Sequence, residues 1–289
     1  MDKKQKIPFQ RRCIQLVSAL IYNANLSGFA EGTIYKGVTK GVCVPGLNCY
    51  SCPGAVGSCP LGALQNALSA LPYKLPLYIV GFLLLVGLAL GRVVCGFLCP
   101  FGLIQELLHK LPTPKLRKSR QTRRLTWLKY VILAVFVIWL PLWYIYAKGL
   151  PVPAFCKYIC PAGTLEGGWP LVALQEEYRA LAGVLFNWKT GLCLAILVSC
   201  IFLYRSFCRF LCPLGAIYSL FAKVALLAVR VDKDRCIGCD LCVKSCKMDV
   251  RCVGDRECIH CGECRTVCPV NAIYFGKERK ACEPSQKSH

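Results

Sequence analysis

The sequence predicts an all-α membrane bundle of about four transmembrane helices, built as two tandem pseudo-symmetric halves, with a small cysteine-rich α+β domain at its C-terminal end. Three observations carry that expectation. Apolar residues make up 55% of the 289-residue chain, mean hydropathy is positive, and the apolar residues gather in runs long enough to cross a bilayer. A Cys-Pro motif recurs at matching ends of two of those runs. Ten of the 23 cysteines crowd into residues 231–289. A secreted disulfide scaffold would carry far less apolar sequence. The net charge of +21 does not call for a nucleic-acid partner. The basic residues stand beside apolar segments, where membrane topology accounts for them.

The first element is Ile14–Ala30, a short span interrupted by Asn23 and Asn25. A basic start (Lys3, Lys4, Lys6, Arg11, Arg12) leads into it without a small-residue cleavage site, so a cleaved leader is not expected. Leu77–Leu98, Leu125–Ala147 and Leu185–Tyr204 follow. Each is long enough for a ~30 Å hydrocarbon core at ~1.5 Å per residue. Between the second and third spans lie Lys110, Lys115, Arg117, Lys118, Arg120, Arg123 and Arg124 against the single acid Glu106. The loop 148–184 is balanced, with Lys148, Lys157 and Arg179 against Glu166, Glu176 and Glu177. The positive-inside rule then sets the 100–124 linker, both termini and the C-terminal domain in the cytoplasm of a multi-pass protein of the cell's inner membrane. Loops 31–76 and 148–184 face outward. Phe101–Leu111 and Ala216–Val229 are too short to span and read as amphipathic helices along the inner surface. Glu106 and His109, at helical spacing, are a candidate quinone pocket.

The membrane part repeats itself. Arg92-Val-Val-Cys95-Gly-Phe-Leu-Cys99-Pro100-Phe-Gly102 matches Arg205-Ser-Phe-Cys208-Arg-Phe-Leu-Cys212-Pro213-Leu-Gly215. On the outer side, Cys59-Pro60-Leu-Gly62 resembles Cys160-Pro161-Ala-Gly163. All four copies reduce to Cys-Pro-x-Gly-x-[Leu/Ile], and Cys95, Cys156 and Cys208 stand four residues upstream in three of them. A parallel repeat related by an axis along the membrane normal brings Cys95 and Cys99 opposite Cys208 and Cys212. On the outer side the expected group is Cys52, Cys59, Cys156 and Cys160, with Cys49 as the alternative to Cys52. Proline starts a helix at its first turn, and the N–H groups there point at the thiolates. Cys193 and Cys200 read as packing residues.

The C-terminal cysteines form two runs, Cys236-x2-Cys239-x2-Cys242-x3-Cys246 and Cys258-x2-Cys261-x2-Cys264-x3-Cys268-Pro269. This is the bacterial two-cluster ferredoxin spacing, in which the fourth cysteine of each run serves the other cluster. One [4Fe–4S] cluster is expected on Cys236, Cys239, Cys242 and Cys268. The other is expected on Cys258, Cys261, Cys264 and Cys246. Structural zinc prefers separate CxxC pairs. The expected division is 1–230 for the membrane domain and 231–289 for a cytoplasmic two-[4Fe–4S] ferredoxin domain. His260 reads as a packing or potential-tuning residue, and no role falls to Cys252 or Cys282.

The paired Cys95-x3-Cys99-Pro100 and Cys208-x3-Cys212-Pro213, set between spans and followed by the ferredoxin block, resemble the membrane polyferredoxin family. That family includes the quinol dehydrogenase subunit of periplasmic nitrate reductase systems and the electron-supply protein of nitrous oxide reductase. The resemblance covers about residues 77–275. It implies four spans, an inner-face cluster on Cys95, Cys99, Cys208 and Cys212, and electron transfer linked to the quinone pool or a soluble donor. The chain departs from the family in its cysteine-rich loop Cys43–Cys59, which points to a redox role on the outer face.

The expected function is a membrane iron–sulfur relay between the ferredoxin-type clusters, one or two membrane-embedded [4Fe–4S] clusters, and a quinone or an outer redox protein. The partners are the lipid bilayer and redox proteins, in a larger membrane complex or alone. Two other readings stay open: a quinol dehydrogenase with its own quinone site, and an iron–sulfur sensor or assembly factor. Clusters at opposite surfaces could not exchange electrons across ~30 Å. Either the apolar stretches Leu61–Leu71 and Leu171–Leu174 re-enter the membrane and draw the clusters inward, or a further cofactor bridges the gap.

Overall fold

Leu- and Ala-rich runs form most of the helices of the computed structural model, which describes residues 3–71, 75–116 and 118–276. Helix α1 covers Lys3–Tyr22. It starts and stops earlier than the expected Ile14–Ala30, because Asn23 turns its amide back onto Ala19 O at 3.0 Å and ends the helix. Helices α2 (Pro60–Ser69) and α3 (Leu77–Ala89) follow. The expected run Leu77–Leu98 is broken after α3 by Gly91, which adopts φ +50. The chain then continues as α4 (Val93–Phe97) and α5 (Pro100–Leu108).

Helix α6 (Arg120–Lys148) runs for 29 residues, with a wider π-wound stretch at Leu133–Trp139. The short α7 (Ala154–Tyr158) leads to a π turn at Gly163–Gly168 and one further turn at Trp169–Leu174. Helix α8 (Val184–Phe202) is the second long apolar helix. Helices α9 (Ser206–Phe210) and α10 (Pro213–Leu220) complete the helical part. Of the four expected spans, two helices among the described residues, α6 and α8, are long and apolar enough to cross a membrane. Only 17% of the apolar window of each is buried, so their side chains face outward, as lipid-facing helices require. Helix α3 is apolar but shorter, and α1 carries Arg11 and Arg12.

Ala216–Val229 was expected as one surface helix. Instead α10 ends at Leu220, and Ala228 and Val229 enter strand β1 (Ala228–Val231). This strand pairs antiparallel with β2 (Ile273–Gly276), with Ala228 opposite Gly276 and Val231 opposite Ile273.

Buried ion pairs fasten the cysteine-rich C-terminal segment to the helices. Arg92 on the α3–α4 turn and Lys129 of α6 both hold Glu257, at 3.1 and 2.5 Å, with the two cations fully buried. Arg209 of α9 binds Asp249, and Arg123 binds Asp255. Lys118 donates to Val243 O and Cys246 O. The basic linker that the sequence explained by topology therefore also grips the acidic residues of the C-terminal segment. Such pairs cost several kcal/mol to break from one side, because the partner is left charged and dry.

Candidate functional site

The four Cys-Pro-x-Gly copies share one local geometry. Cys59, Cys99 and Cys212 are N-caps of α2, α5 and α10, each with proline in the first turn. The glycine three residues on turns its N–H to the thiol. Gly215 N lies 3.4 Å from Cys212 Sγ, and Gly163 N 3.4 Å from Cys160 Sγ. Gly62 and Gly102 face Cys59 and Cys99 in the same way. A thiolate at an N-cap thus receives both a hydrogen bond and the positive end of a helix.

Cys95, Cys99, Cys208 and Cys212 line one buried cavity together with Gly46, Leu47, Val94 and Phe101. Residues more than a hundred positions apart supply its two halves. A cation sits beside them: Arg205, fully buried, reaches Cys95 O and lies within electrostatic range of Cys99 and Cys208. It stacks so closely on Gly102 that a Cβ there would meet the guanidinium at 3.3 Å.

On the other side, Cys49, Cys59, Cys156 and Cys160 are mutually within electrostatic range. Lys189 sits beside them, donating to Cys156 O at 3.1 Å. Cys52 is not brought among them; its thiol turns to Asn23 Oδ1 at 3.5 Å. Cys43 lies beside Ser58 in a short bridge, and its N–H donates to Tyr78 Oη at 3.1 Å. The first motif copy lacks a cysteine four residues upstream, where Ala55 stands, and Cys49 from the loop takes that place in space.

The next position of the motif carries more. Six residues after each motif cysteine stand Gln65, Gln105, Glu166 and Tyr218. Gln65 Nε2 donates to Cys156 Sγ at 3.2 Å, and Gln105 Nε2 to Cys208 Sγ at 3.0 Å. Each glutamine thus reaches across to the other half's upstream cysteine. Glu166 accepts the Cys49 N–H at 2.8 Å, and burial pushes its carboxyl up to about 7. Tyr218 donates its hydroxyl to Pro45 O at 2.9 Å.

In the C-terminal segment, Cys246, Cys258, Cys261 and Cys264 line a cavity of about 180 Å³ with Cys242, Tyr204, Glu263 and Met248. They are the second run's first three cysteines and the first run's fourth. Cys242 lies within electrostatic range of Cys236 and packs with Cys268 on Val229, Val253 and Ile273. Cys236 and Cys239 are exposed. His260 accepts the Val229 N–H at 3.1 Å. Burial, with Arg92 and Arg230 nearby, lowers its imidazole to about 3, so it is a neutral strut between β1 and the cysteine loop. Cys282 lies outside the described residues.

Glu106 is committed elsewhere. It takes Arg11 at 2.5 Å, Arg205 at 2.7 Å and the Tyr204 hydroxyl at 2.6 Å. Burial alone would raise its carboxyl, but the two guanidiniums outweigh that and hold it near 2. All three contacts fall on Oε1, and the carboxyl stays ionised near neutrality. His109 packs edge-on against Tyr204 at 5.4 Å.

Among the described residues, no three His, Cys, Asp or Glu converge as ligands of a single ion. Cys95, Cys99, Cys208 and Cys212 stand instead around one cavity and Cys246, Cys258, Cys261 and Cys264 around another, and the first group has N–H donors aimed at its sulfurs and a buried cation close by. That donor set fits a group bearing several irons and net negative charge.

Comparison with known proteins gives the same chemistry. The 4Fe-4S binding domain family matches residues 75–119, 128–169 and 184–233, and a second 4Fe-4S binding domain matches residues 253–274. An uncharacterised protein of Methanocaldococcus jannaschii is 30% identical over 198 residues, covering 65% of this chain and 73% of that protein. The putative electron transport protein YccM of Escherichia coli is 26% identical over 254 residues, 79% of this chain and 66% of YccM. The regulatory protein NosR of Pseudomonas aeruginosa is 29% identical over 190 residues, 61% of this chain but 23% of NosR. Another uncharacterised M. jannaschii protein is spanned over 64% of its length. No solved structure matches the chain.

Proposed function

Because the chain belongs to a 4Fe–4S polyferredoxin-type electron transport family, we propose that it is a membrane iron–sulfur electron relay. It passes electrons among ferredoxin-type clusters, clusters held between membrane helices, and a quinone or a redox protein at the outer face. The observation that carries this reading is the cavity shared by Cys95, Cys99, Cys208 and Cys212. Two copies of one motif converge there with no other chemistry to serve.

In this reading Cys95, Cys99, Cys208 and Cys212 hold an inner cluster, and Cys49, Cys59, Cys156 and Cys160 an outer one. Cys246, Cys258, Cys261 and Cys264 hold one ferredoxin-type cluster, and Cys236, Cys239, Cys242 and Cys268 the other. A [4Fe–4S] cluster, when bound, takes up and returns one electron. The protein's residues do the rest. Motif glycines and Gln65 and Gln105 direct N–H groups at the sulfurs, which favours the more negative state. Burial of the inner thiols keeps water away. Gly96 lets the ferredoxin loop come close: a Cβ there would lie 2.5 Å from Ile259 O and 3.8 Å from Cys261 Cα. The chain thus sets a cysteine of one group beside a neighbour of the next.

Helices α1, α3, α6 and α8 cross the inner membrane in this reading, with both termini and residues 231–289 in the cytoplasm. The positive-inside distribution and the outward apolar faces of α6 and α8 support that topology.

Anaerobic iron and acid-labile sulfide analysis tests the function. About sixteen irons per chain are expected, falling by about four in Cys95→Ser and again in Cys156→Ser. About eight irons, unchanged by either substitution, would reduce the membrane part to an anchor. A sensor or assembly factor is the second reading, supported by the name of the regulatory relative, of which the chain covers 23%. Steady electron flow from reductant to an outer acceptor by the purified protein would remove it.

A further inference from the structure

Residues 45–49 of the outer loop run between the inner and outer thiol groups and touch both. Gly46 packs on the inner group: a Cβ there would lie 3.1 Å from Cys99 Cα and 3.1 Å from Leu98 O. Gly46 and Leu47 line the inner cavity itself. The Leu47 N–H faces the Cys99 thiol. The next N–H along the chain, that of Asn48, faces the Cys59 thiol of the outer group. One residue later the chain delivers Cys49 to that group.

The segment is clamped from both sides by the same position of the repeated motif. Tyr218, six residues after Cys212, holds Pro45 O at 2.9 Å. Glu166, six residues after Cys160, holds Cys49 N at 2.8 Å. Asn23 of the α1 end donates to Asn48 Oδ1 at 3.1 Å. Leu47 and Asn48 are 2% and 0% exposed, so the bridge is shielded from bulk solvent. Consecutive backbone nitrogens are ~3 Å apart and the two thiols meet neighbouring ones, so the two sulfurs are separated by on the order of 10 Å. That is about a third of the ~30 Å hydrocarbon core.

We infer that the Leu47–Asn48 peptide is the electron bridge between the inner and outer groups, so that no quinone or other carrier is needed between them. The inference rests on the cluster assignment proposed above. The exchange is of one electron: one group is oxidised as the other is reduced, and no bond or proton moves. Tunnelling decays exponentially with distance, so a path shortened by a buried loop replaces a crossing of the whole core. Two successive amides, one for each group, also fix the spacing of the groups to the length of a single residue.

The test is electron paramagnetic resonance of the full-length, anaerobically purified protein during stepwise reduction, with iron counted in the same samples. The expected result is about sixteen irons and a magnetic interaction between the inner and outer signals that disappears in both Cys99→Ser and Cys59→Ser. Full iron with purely additive signals overturns the bridge and leaves the clusters standing. About eight irons overturns the cluster assignment itself, and the bridge with it. Leu47→Pro removes the amide that faces Cys99, whereas Leu47→Ala keeps it. The inner midpoint potential is expected to fall in the first and hold in the second. An equal fall in both overturns the part given to the amide.

Discussion

The inner and outer thiol groups are built from the same motif, yet only the inner one is complete by repetition. Cys95–Cys99 and Cys208–Cys212 bring two thiols each, and both upstream cysteines lie on short helices that continue into the motif. The outer group has one full copy, Cys156–Cys160. Its other half keeps Cys59 and lacks the upstream cysteine, Ala55 standing there. A loop residue, Cys49, fills the gap. The substitution changes more than a ligand. A loop that must deliver Cys49 has to dive into the protein, and in doing so it passes against Cys99. An imperfect repeat thus produces a connection that a perfect one would not need.

The strongest way to break this comparison is to exchange the two candidate loop cysteines. Cys49→Ser is expected to remove about four irons, like Cys59→Ser, while Cys52→Ser leaves the iron count at its original value. Iron analysis of the three purified variants decides it. Loss in Cys52→Ser alone would move the outer group one turn along the loop.

Next in size is the grip between helices and ferredoxin segment, which lies on the inner side. Glu257→Gln leaves Arg92 and Lys129 buried without a counter-charge, a change that costs about 3–5 kcal/mol. Hydrogen exchange of the β1–β2 amides is expected to accelerate, while iron lost in Cys156→Ser stays specific to the outer group. Gly96→Val acts on the same contact by bulk. Electron transfer from reduced ferredoxin-type clusters to the inner group is expected to slow, with all irons retained, in flash-reduction kinetics.

The glutamines sharpen the comparison at smaller scale. Gln65→Leu removes a donor from Cys156, and Gln105→Leu one from Cys208. A hydrogen bond to a charged group is worth about 1.5 kcal/mol, which is about 60 mV for one electron. Each substitution is expected to lower the potential of its own group by that order and leave the other group unmoved in a potentiometric titration.

The smallest effect is in pH. Glu106 is held near 2, below its ordinary 4.5. A depressed carboxylate stabilises fully above its unfolded value and loses that contribution as pH falls from 4.5 towards 2. Thermal loss of helix, followed by circular dichroism, is expected to be insensitive to Glu106 ionisation between pH 5 and 8. A Glu106→Gln protein whose melting matched the parent throughout that range would show that the Arg11–Glu106–Arg205 network contributes nothing.

The sequence made the thiol chemistry legible because ligand spacing is local. CxxCxxC turns and Cys-x3-Cys-Pro helix starts are written in consecutive residues, so Cys95, Cys99, Cys208 and Cys212 could be paired on paper. Cys49 against Cys52 could not be decided, since that choice depends on where a loop without periodicity comes to rest. Gln65, Gln105, Glu166 and Tyr218 were overlooked because the motif comparison stopped one residue short of them. The span at Leu77–Leu98 was overextended, because apolar composition says nothing of a glycine in the left-handed region. The basic linker had two explanations, and hydropathy could supply only one. Its pairing with Asp249, Asp255 and the carbonyls of Val243 and Cys246 depends on chain folded back from far away.

Arg11 binds Glu106 and also reaches Glu263, 252 residues further along, at 2.8 Å. During synthesis Nη1 can pair with Glu106 early, whereas Nη2 waits for its partner until the second run of cysteines has left the ribosome. The first helix is thus anchored in two stages, first to Glu106 within the helical part and then to Glu263 in the cysteine-rich segment. That second contact couples the packing of the first helix to the folding of a loop 252 residues away.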